Sequence, residues 1–252
     1  MDYETLNKTT TETNFVNSCD HLVIYSGGID STVMLYDLLR KYSTHENPVG
    51  ILTFEPFFVG DTKNVMETKA RKRFISYLER EKYNFVHNTV RLEAWTNARG
   101  NHYTQLYSWL TNAMPIASHD ATIHIGVLLD DSQTEYIYKI KEIHEMSNKV
   151  LGKDTKLSFS IMGRTKAESL EYAIRKDLLK YTWSCQMPDG NKPCKTCGSC
   201  SAITEGLIKL CYYDPERKDT YEALLKVYDN KPEDDTCRIH QHDSILRKSP
   251  GV

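Results

Sequence analysis

Residues 26–32 read Ser-Gly-Gly-Ile-Asp-Ser-Thr and follow the apolar run "HLVIY". Gly27 and Gly28 lack side chains, so the backbone can turn tightly there and bring its N–H groups close to an anion. A helix beginning just after them would add its positive N-terminal end. Ser26, Ser31 and Thr32 offer hydroxyl donors to phosphate oxygens. Asp30 is itself an anion and makes sense as a ligand for Mg²⁺ bridging phosphates. A glycine turn with serine caps could use similar residues without any ligand. The convergence of these polar groups directly after an apolar strand favours a phosphate site. The lysine of the usual P-loop is absent, which argues against transfer of a terminal phosphoryl group.

A second cluster lies far along the chain. In "CQMPDGNKPCKTCGSC", Cys185, Cys194, Cys197 and Cys200 are spaced C-x8-C-x2-C-x2-C. Four thiolates suit tetrahedral Zn²⁺, and the close spacing lets one loop wrap the ion, with Pro193 and Gly198 allowing the turns. A closed site of this kind is structural. An iron–sulfur cluster uses similar spacings and stays open as an alternative. Seven cysteines are an odd number, and four of them crowd into this loop, which is unlike a disulfide framework. Cys19, Cys211 and Cys237 have no partners at ligand spacing, and "CRIHQH" (237–242) reads as part of a solvated tail.

These residues need a frame. Apolar runs at 21–25, 49–54, 85–93, 122–129 and 156–162 predict strands, and amphipathic stretches near 31–42, 64–83, 103–119, 135–151 and 166–180 predict helices between them. Pro115 is expected to kink or split the third helix, and Leu170, Ala173, Ile174 and Leu178 fall on one face of the last. The alternation predicts an α/β protein with a parallel sheet covered on both faces. Ligands of such sheets bind beyond the carboxyl ends of the strands, where "SGGIDS" and "GRTK" both fall. Shorter helices near 201–212 and 215–228 precede a polar, mobile terminus. The chain has 252 residues, 40% hydrophobic and 26% charged, with a net charge of −2. That charge argues against a dedicated nucleic-acid binder, and "KARKRF" (69–74) reads as a solvated helix surface. No apolar run reaches the roughly 20 residues that span a membrane. A polar start without a signal-like segment gives a cytoplasmic expectation.

The motif resembles the PP-loop, SGGxDS, of the ATP pyrophosphatase superfamily, with its adenine nucleotide alpha hydrolase-like (HUP) fold. That resemblance implies a loop that grips the β,γ-pyrophosphate of ATP while a substrate oxygen attacks the α-phosphate. Together with "GVLLDD" (Gly126, Asp130), "RTKAE" (164–168), "TWSC" (182–185) and "CKTCGSC", the chain from about 20 to 206 resembles the 7-cyano-7-deazaguanine synthase family, QueC, of queuosine biosynthesis. The resemblance implies an ATP-dependent ligase with Mg²⁺ and Zn²⁺. It would convert 7-carboxy-7-deazaguanine and ammonia through an adenylate and an amide to the nitrile. Lys166 would neutralise phosphate charge and Arg164 would share that role. A homodimer is the expected assembly. The division that follows is a polar segment (1–20), an ATP-binding α/β domain (21–182), a zinc loop and helix inserted or appended to it (183–212), and a C-terminal helix and mobile tail (213–252).

The purine pocket departs from the family pattern. The family's Gly-Gln-Arg-His after its second strand is replaced by "FEPFFVGDTKN", and its Tyr-Pro-Asp-Cys-Arg is absent near "QTEYIYK". Its Arg-Asn is echoed only by Arg99 and Asn101, and an arginine usual after the last zinc cysteine is replaced near Ile203. This is the pattern of a divergent member, such as a phage or a mobile defence system encodes. Asp130, Asp131 and Ser132 end a predicted strand on the ligand side and are the substrate candidates; the latter two could also cap the next helix. Two other functions stay open: a PP-loop enzyme that adenylates a tRNA base or protein terminus, and a non-catalytic zinc and nucleotide module. Cys19 precedes its strand, at the wrong end of the sheet for a thiolase nucleophile.

Overall fold

Leu22 and Ile24 point to one side of the first strand and Val23 and Tyr25 to the other, yet all four are buried. A strand buried on both faces belongs in the middle of a sheet covered by helices on each side. The computed structural model describes residues 18–56, 62–92, 102–130, 134 and 136–228. Its elements are β1 (His21–Ile24), α1 (Ile29–Tyr42), β2 (Val49–Pro56), α2 (Thr62–Arg80), β3 (Phe85–Leu92), α3 (His102–Ile116), β4 (Thr122–His124), α4 (Ile137–Leu151), β5 (Lys156–Ser158), α5 (Lys166–Arg175), α6 (Gly198–Tyr213) and α7 (Lys218–Tyr228). Short 3-10 turns at Leu179–Tyr181 and Pro215–Arg217 link the last three helices.

The sheet has the order β3-β2-β1-β4-β5, and every pairing is parallel. The expected α/β parallel-sheet class is therefore present, with the four-cysteine cluster appended to it. One face is packed by α1, α2, α5, α6 and α7, through residues such as Val33, Phe74, Leu170, Leu207 and Tyr221. The other is packed by α3 and α4, through Leu110, Met114 and Ile140. The strand order turns outward from β1 in two directions, so the crevice between the carboxyl ends of β1 and β4 is the switch point where α/β sheets place ligands.

Three elements are shorter than the apolar runs predict. β4 stops at His124, because the chain beyond it leaves the ladder and passes against the start of α1. There, a Cβ on Gly126 would lie 3.3 Å from the Ser31 nitrogen. β5 stops at Ser158 and turns, with Arg164 N–H bonded to Ile161 C=O. α5 stops at Arg175 because Asp177 takes a left-handed conformation (φ 54°). Leu178 N–H then reaches Ala173 C=O at 2.8 Å and Asp177 N–H reaches Ile174 C=O at 3.1 Å, closing the helix end. Leu178 is buried as its spacing predicts, but it gets there through that turn. Pro115 falls in the last turn of α3, where it ends the helix without splitting it. The Lys153 ammonium donates to the free carbonyls of Met114, Pro115 and Ala117 there. No helix among the described residues is long and apolar enough to cross a membrane.

α6 crosses α5 closely: a Cβ added to Gly206 would come within 2.6 Å of Leu170 Cδ1. This contact joins the cysteine-bearing helix to the helix that starts at Lys166. Leu170 is fully buried, so Leu170→Ala is expected to lower the unfolding free energy by about 2–5 kcal/mol. Urea titration followed by circular dichroism measures it. A loss under about 1 kcal/mol would show that the two helices are not held by this packing.

Candidate functional site

The chain leaves β1 at Ile24 and enters α1 at Ile29, and the turn between them holds the two glycines. Gly27 has φ +90°, a conformation that disfavours other residues, and a Cβ there would sit 2.9 Å from Arg71 Cγ and 3.2 Å from the Glu67 carbonyl oxygen. Gly28 has an ordinary extended φ and is the N-cap residue of α1. Its carbonyl accepts from the Thr32 hydroxyl at 2.8 Å and from the Ser31 hydroxyl at 3.2 Å. The Ser26 and Ser31 hydroxyl oxygens are 2.9 Å apart. Thr32 is fully buried under the loop. Its hydroxyl, like that of the buried Ser31, braces the turn through the Gly28 carbonyl. Ser26, half-buried, stands at the loop's edge.

Asp30 lies in the first turn of α1 and Lys166 is the first residue of α5. The Lys166 ammonium donates to both Asp30 oxygens, at 2.7 and 2.6 Å, and both side chains are about one-fifth exposed. The Lys166 backbone N–H donates to both oxygens of Asp130 at 3.0 Å. Asp130 thus sits at the N-terminus of α5, whose own capping box joins Thr165 and Glu168. Residues from the segments that follow β1, β4 and β5 meet here although they are far apart in sequence. Asp131 and Ser132, like Arg99, Asn101 and Cys237, lie outside the described residues.

Arg164 does not join this group. Its guanidinium donates to Asp37 at 2.8 Å, about two turns further along α1 on the same face as Asp30, and covers the Tyr172 ring at 4.8 Å. The Tyr172 hydroxyl donates to the other Asp37 oxygen. In the free chain this pair ties α1 to the turn before α5.

Arg71 takes the opposite course. Within "KARKRF", Lys69, Lys72 and Arg73 are exposed, but Arg71 is only 5% exposed. It packs behind the loop, donates to the Ser26 carbonyl at 3.1 Å and to the Thr68 hydroxyl at 2.7 Å, and lies 3.9 Å from a Glu55 oxygen. The stretch is therefore not wholly a solvated surface. The signal was present in the spacing, because Arg71 shares a helical face with Phe74, Ile75 and Leu78.

The four cysteine sulfurs all lie within 4.8 Å of one another, and Cys185, Cys197 and Cys200 are buried. The left-handed residue of the knuckle is Lys195 (φ 64°); Gly198 simply begins α6. Backbone N–H groups of Cys194, Gln186 and Cys197 donate to the sulfurs of Cys185, Cys197 and Cys194 at 3.1, 3.4 and 3.3 Å. Burial pushes the Cys185 and Cys200 thiols up in the metal-free chain. Burial also acts on Cys194, but hydrogen bonds from Thr196, Cys197 and Cys185 outweigh it and carry that thiol down to about 6. Cys197 caps α6 and Cys200 lies in its first turn, where the helix end favours thiolates. This donor set fits a metal centre. Cys19, by contrast, is buried at the amino end of β1 and is pushed up to about 11, mainly by burial. No disulfide links the described cysteines.

Residues 116–211 match the family model described as "Queuosine biosynthesis protein QueC". Over that stretch the chain is QueC-like. The matched span holds Gly126, Asp130, Lys166 and all four clustered cysteines, while the glycine loop precedes it. No curated protein matches the chain. Among solved structures it is similar to "U34-tRNA thiolase NcsA from Methanococcus maripaludis with its [4Fe-4S] cluster", at 15% identity and a TM-score of 0.43, over 90% of this chain and 81% of that one.

Gly27→Ala is expected to cost about 1–3 kcal/mol through backbone strain and to displace the loop from Arg71. Calorimetric titration with Mg·ATP should show at least a tenfold weaker affinity, the equivalent of about 1.4 kcal/mol. Wild-type affinity in this variant would show that the loop does not hold the nucleotide.

Proposed function

We propose that the chain is an ATP-dependent adenylating enzyme that makes C–N bonds on a deazapurine acid of the 7-carboxy-7-deazaguanine class. The observation that carries this reading is the meeting of Asp30, Lys166 and Asp130 beside a glycine loop at the sheet's switch point. The acceptor is supported by the QueC-like match over residues 116–211. The loop backbone and the N-terminus of α1 take the β,γ-pyrophosphate. Asp30 would hold Mg²⁺, which would supply charge neutralisation to the phosphates when bound.

A carboxylate is a poor electrophile because its oxygens leave badly. Its oxygen attacks the α-phosphorus, the α–β phosphoanhydride bond breaks and pyrophosphate departs into the loop. Ammonia then attacks the acyl carbon, AMP leaves with the former carboxylate oxygen, and a proton is lost to give the amide. A second ATP adenylates the amide oxygen in the same way, and loss of AMP and protons from C–N gives the nitrile. Lys166 leaves Asp30 for the phosphates and stabilises the charge that develops as the anhydride breaks. Asp130 fixes the start of the helix that carries it.

The cysteine centre holds Zn²⁺ in this reading. One ion at about 2.3 Å from each sulfur sets the sulfurs about 3.8 Å apart, which the observed cluster accommodates. Four irons would stand between the ligands of a cubane and spread them wider. The setting is cytoplasmic, where thiols stay reduced.

Incubation of the protein with Mg·ATP, ammonium and 7-carboxy-7-deazaguanine should yield the nitrile and AMP by mass spectrometry. Asp30→Ala should abolish turnover with the fold intact, and Lys166→Gln should lower it by about 10²- to 10³-fold. ATP consumption that depends on added tRNA and ignores the deazapurine acid would overturn the assignment of the acceptor.

A further inference from the structure

Trp183 stands between the cysteine centre and the glycine loop. Its backbone N–H donates to the Gly27 carbonyl at 2.9 Å. Its indole Nε1–H donates to the Cys185 carbonyl at 3.0 Å, and its ring packs against the buried cysteines. The segment also runs along the second glycine: a Cβ on Gly28 would meet the Trp183 carbonyl oxygen at 3.8 Å and Ser184 Oγ at 4.0 Å. A second route joins the same two places. Cys197 caps α6, α6 packs on α5 at Gly206 and Leu170, and α5 begins with Lys166, which holds Asp30.

We infer that metal binding and nucleotide binding are thermodynamically coupled, with Trp183 as the positioning residue that carries the coupling. This rests on the nucleotide reading of the glycine loop given above. The four cysteine sulfurs lie within 4.8 Å of one another, and an ion bound by all four would hold them there. Convergence fixes the Cys185 carbonyl, which orients the indole and so places the Trp183 N–H on the Gly27 carbonyl. That bond holds Gly27 in its left-handed conformation and so sets the shape in which the loop meets phosphate. Without the ion the loop has more conformations, and nucleotide binding must order them. By linkage, the nucleotide must tighten metal binding by the same factor that the metal tightens nucleotide binding.

The test uses the full chain loaded with Zn²⁺ and the Mg²⁺ complex of α,β-methylene-ATP, which cannot be cleaved between its α and β phosphorus atoms. Calorimetry first gives the affinity of the loaded chain for this nucleotide. Equilibrium competition with a chelating dye then gives the Zn²⁺ affinity with and without saturating nucleotide. The expected result is a gain of roughly fivefold or more in Zn²⁺ affinity. Trp183→Phe keeps the backbone N–H but lacks the indole N–H. Trp183→Pro lacks the backbone N–H, and Thr182 before it is already extended (φ −110°, ψ 160°), as a residue preceding proline must be. Both variants should bring the factor toward unity.

An unchanged Zn²⁺ affinity in the wild-type chain, with the nucleotide bound, overturns the coupling and leaves the nucleotide reading standing. Failure of the loaded chain to bind the nucleotide overturns both. A full wild-type factor in both variants removes Trp183 from the role. Should either variant fail to fold by circular dichroism, the wild-type comparison still decides the coupling and the other variant decides the residue.

Discussion

The carbonyl of Gly27 is held by the N–H of Trp183, a residue near the other end of the described chain. A glycine loop has little reason of its own to keep one shape, since glycine loses more conformational freedom on ordering than any other residue. Its shape here comes from outside. Arg71 closes it from behind through the Ser26 carbonyl, Ser31 and Thr32 fix the Gly28 carbonyl from below, and Trp183 fixes Gly27 from the cysteine side. Each of these braces uses a carbonyl as its anchor, while the Ser26 and Gly28 N–H groups donate to the Ser31 and Ser26 hydroxyl oxygens at 3.3 Å.

The charges at the crevice follow a similar logic. Asp30 and Lys166 each lose much of their hydration, and each would be costly without the other. They neutralise one another in the free chain. Under the proposed function, Mg·ATP would bring a cation for the carboxylate and anions for the ammonium, so both charges would exchange partners without either being stranded. Asp130 adds a further anchor through the Lys166 backbone, so the exchange can take place while the start of α5 stays in position.

Much of this was legible in the chain because it is local. The strand–glycine–helix turn and the cysteine spacing are written in consecutive residues, and the α/β alternation follows from their periodicities. What stayed hidden depends on side-chain direction across the fold. Arg164 shares a short motif with Lys166, but its guanidinium turns to Asp37 while Lys166 turns to Asp30. Arg71 carries a charge, which argues for solvent, and lies on an apolar stripe, which argues for burial; the Ser26 and Thr68 oxygens decide in favour of burial. Ser31 and Thr32 are both buried, and both hydroxyls turn to the Gly28 carbonyl beneath the loop. The apolar runs of β4 and β5 continue past the ladder, so they predict longer strands than the sheet holds.

The central claim is that the loop retains pyrophosphate while a substrate oxygen attacks the α-phosphorus of ATP. Supplying the acid with its carboxylate oxygens enriched in ¹⁸O, and analysing the nucleotide product by mass spectrometry, tests that claim at the bond that forms. The account predicts AMP and pyrophosphate, with ¹⁸O in the phosphate of the AMP. Formation of ADP, or ¹⁸O found in inorganic phosphate, would contradict it.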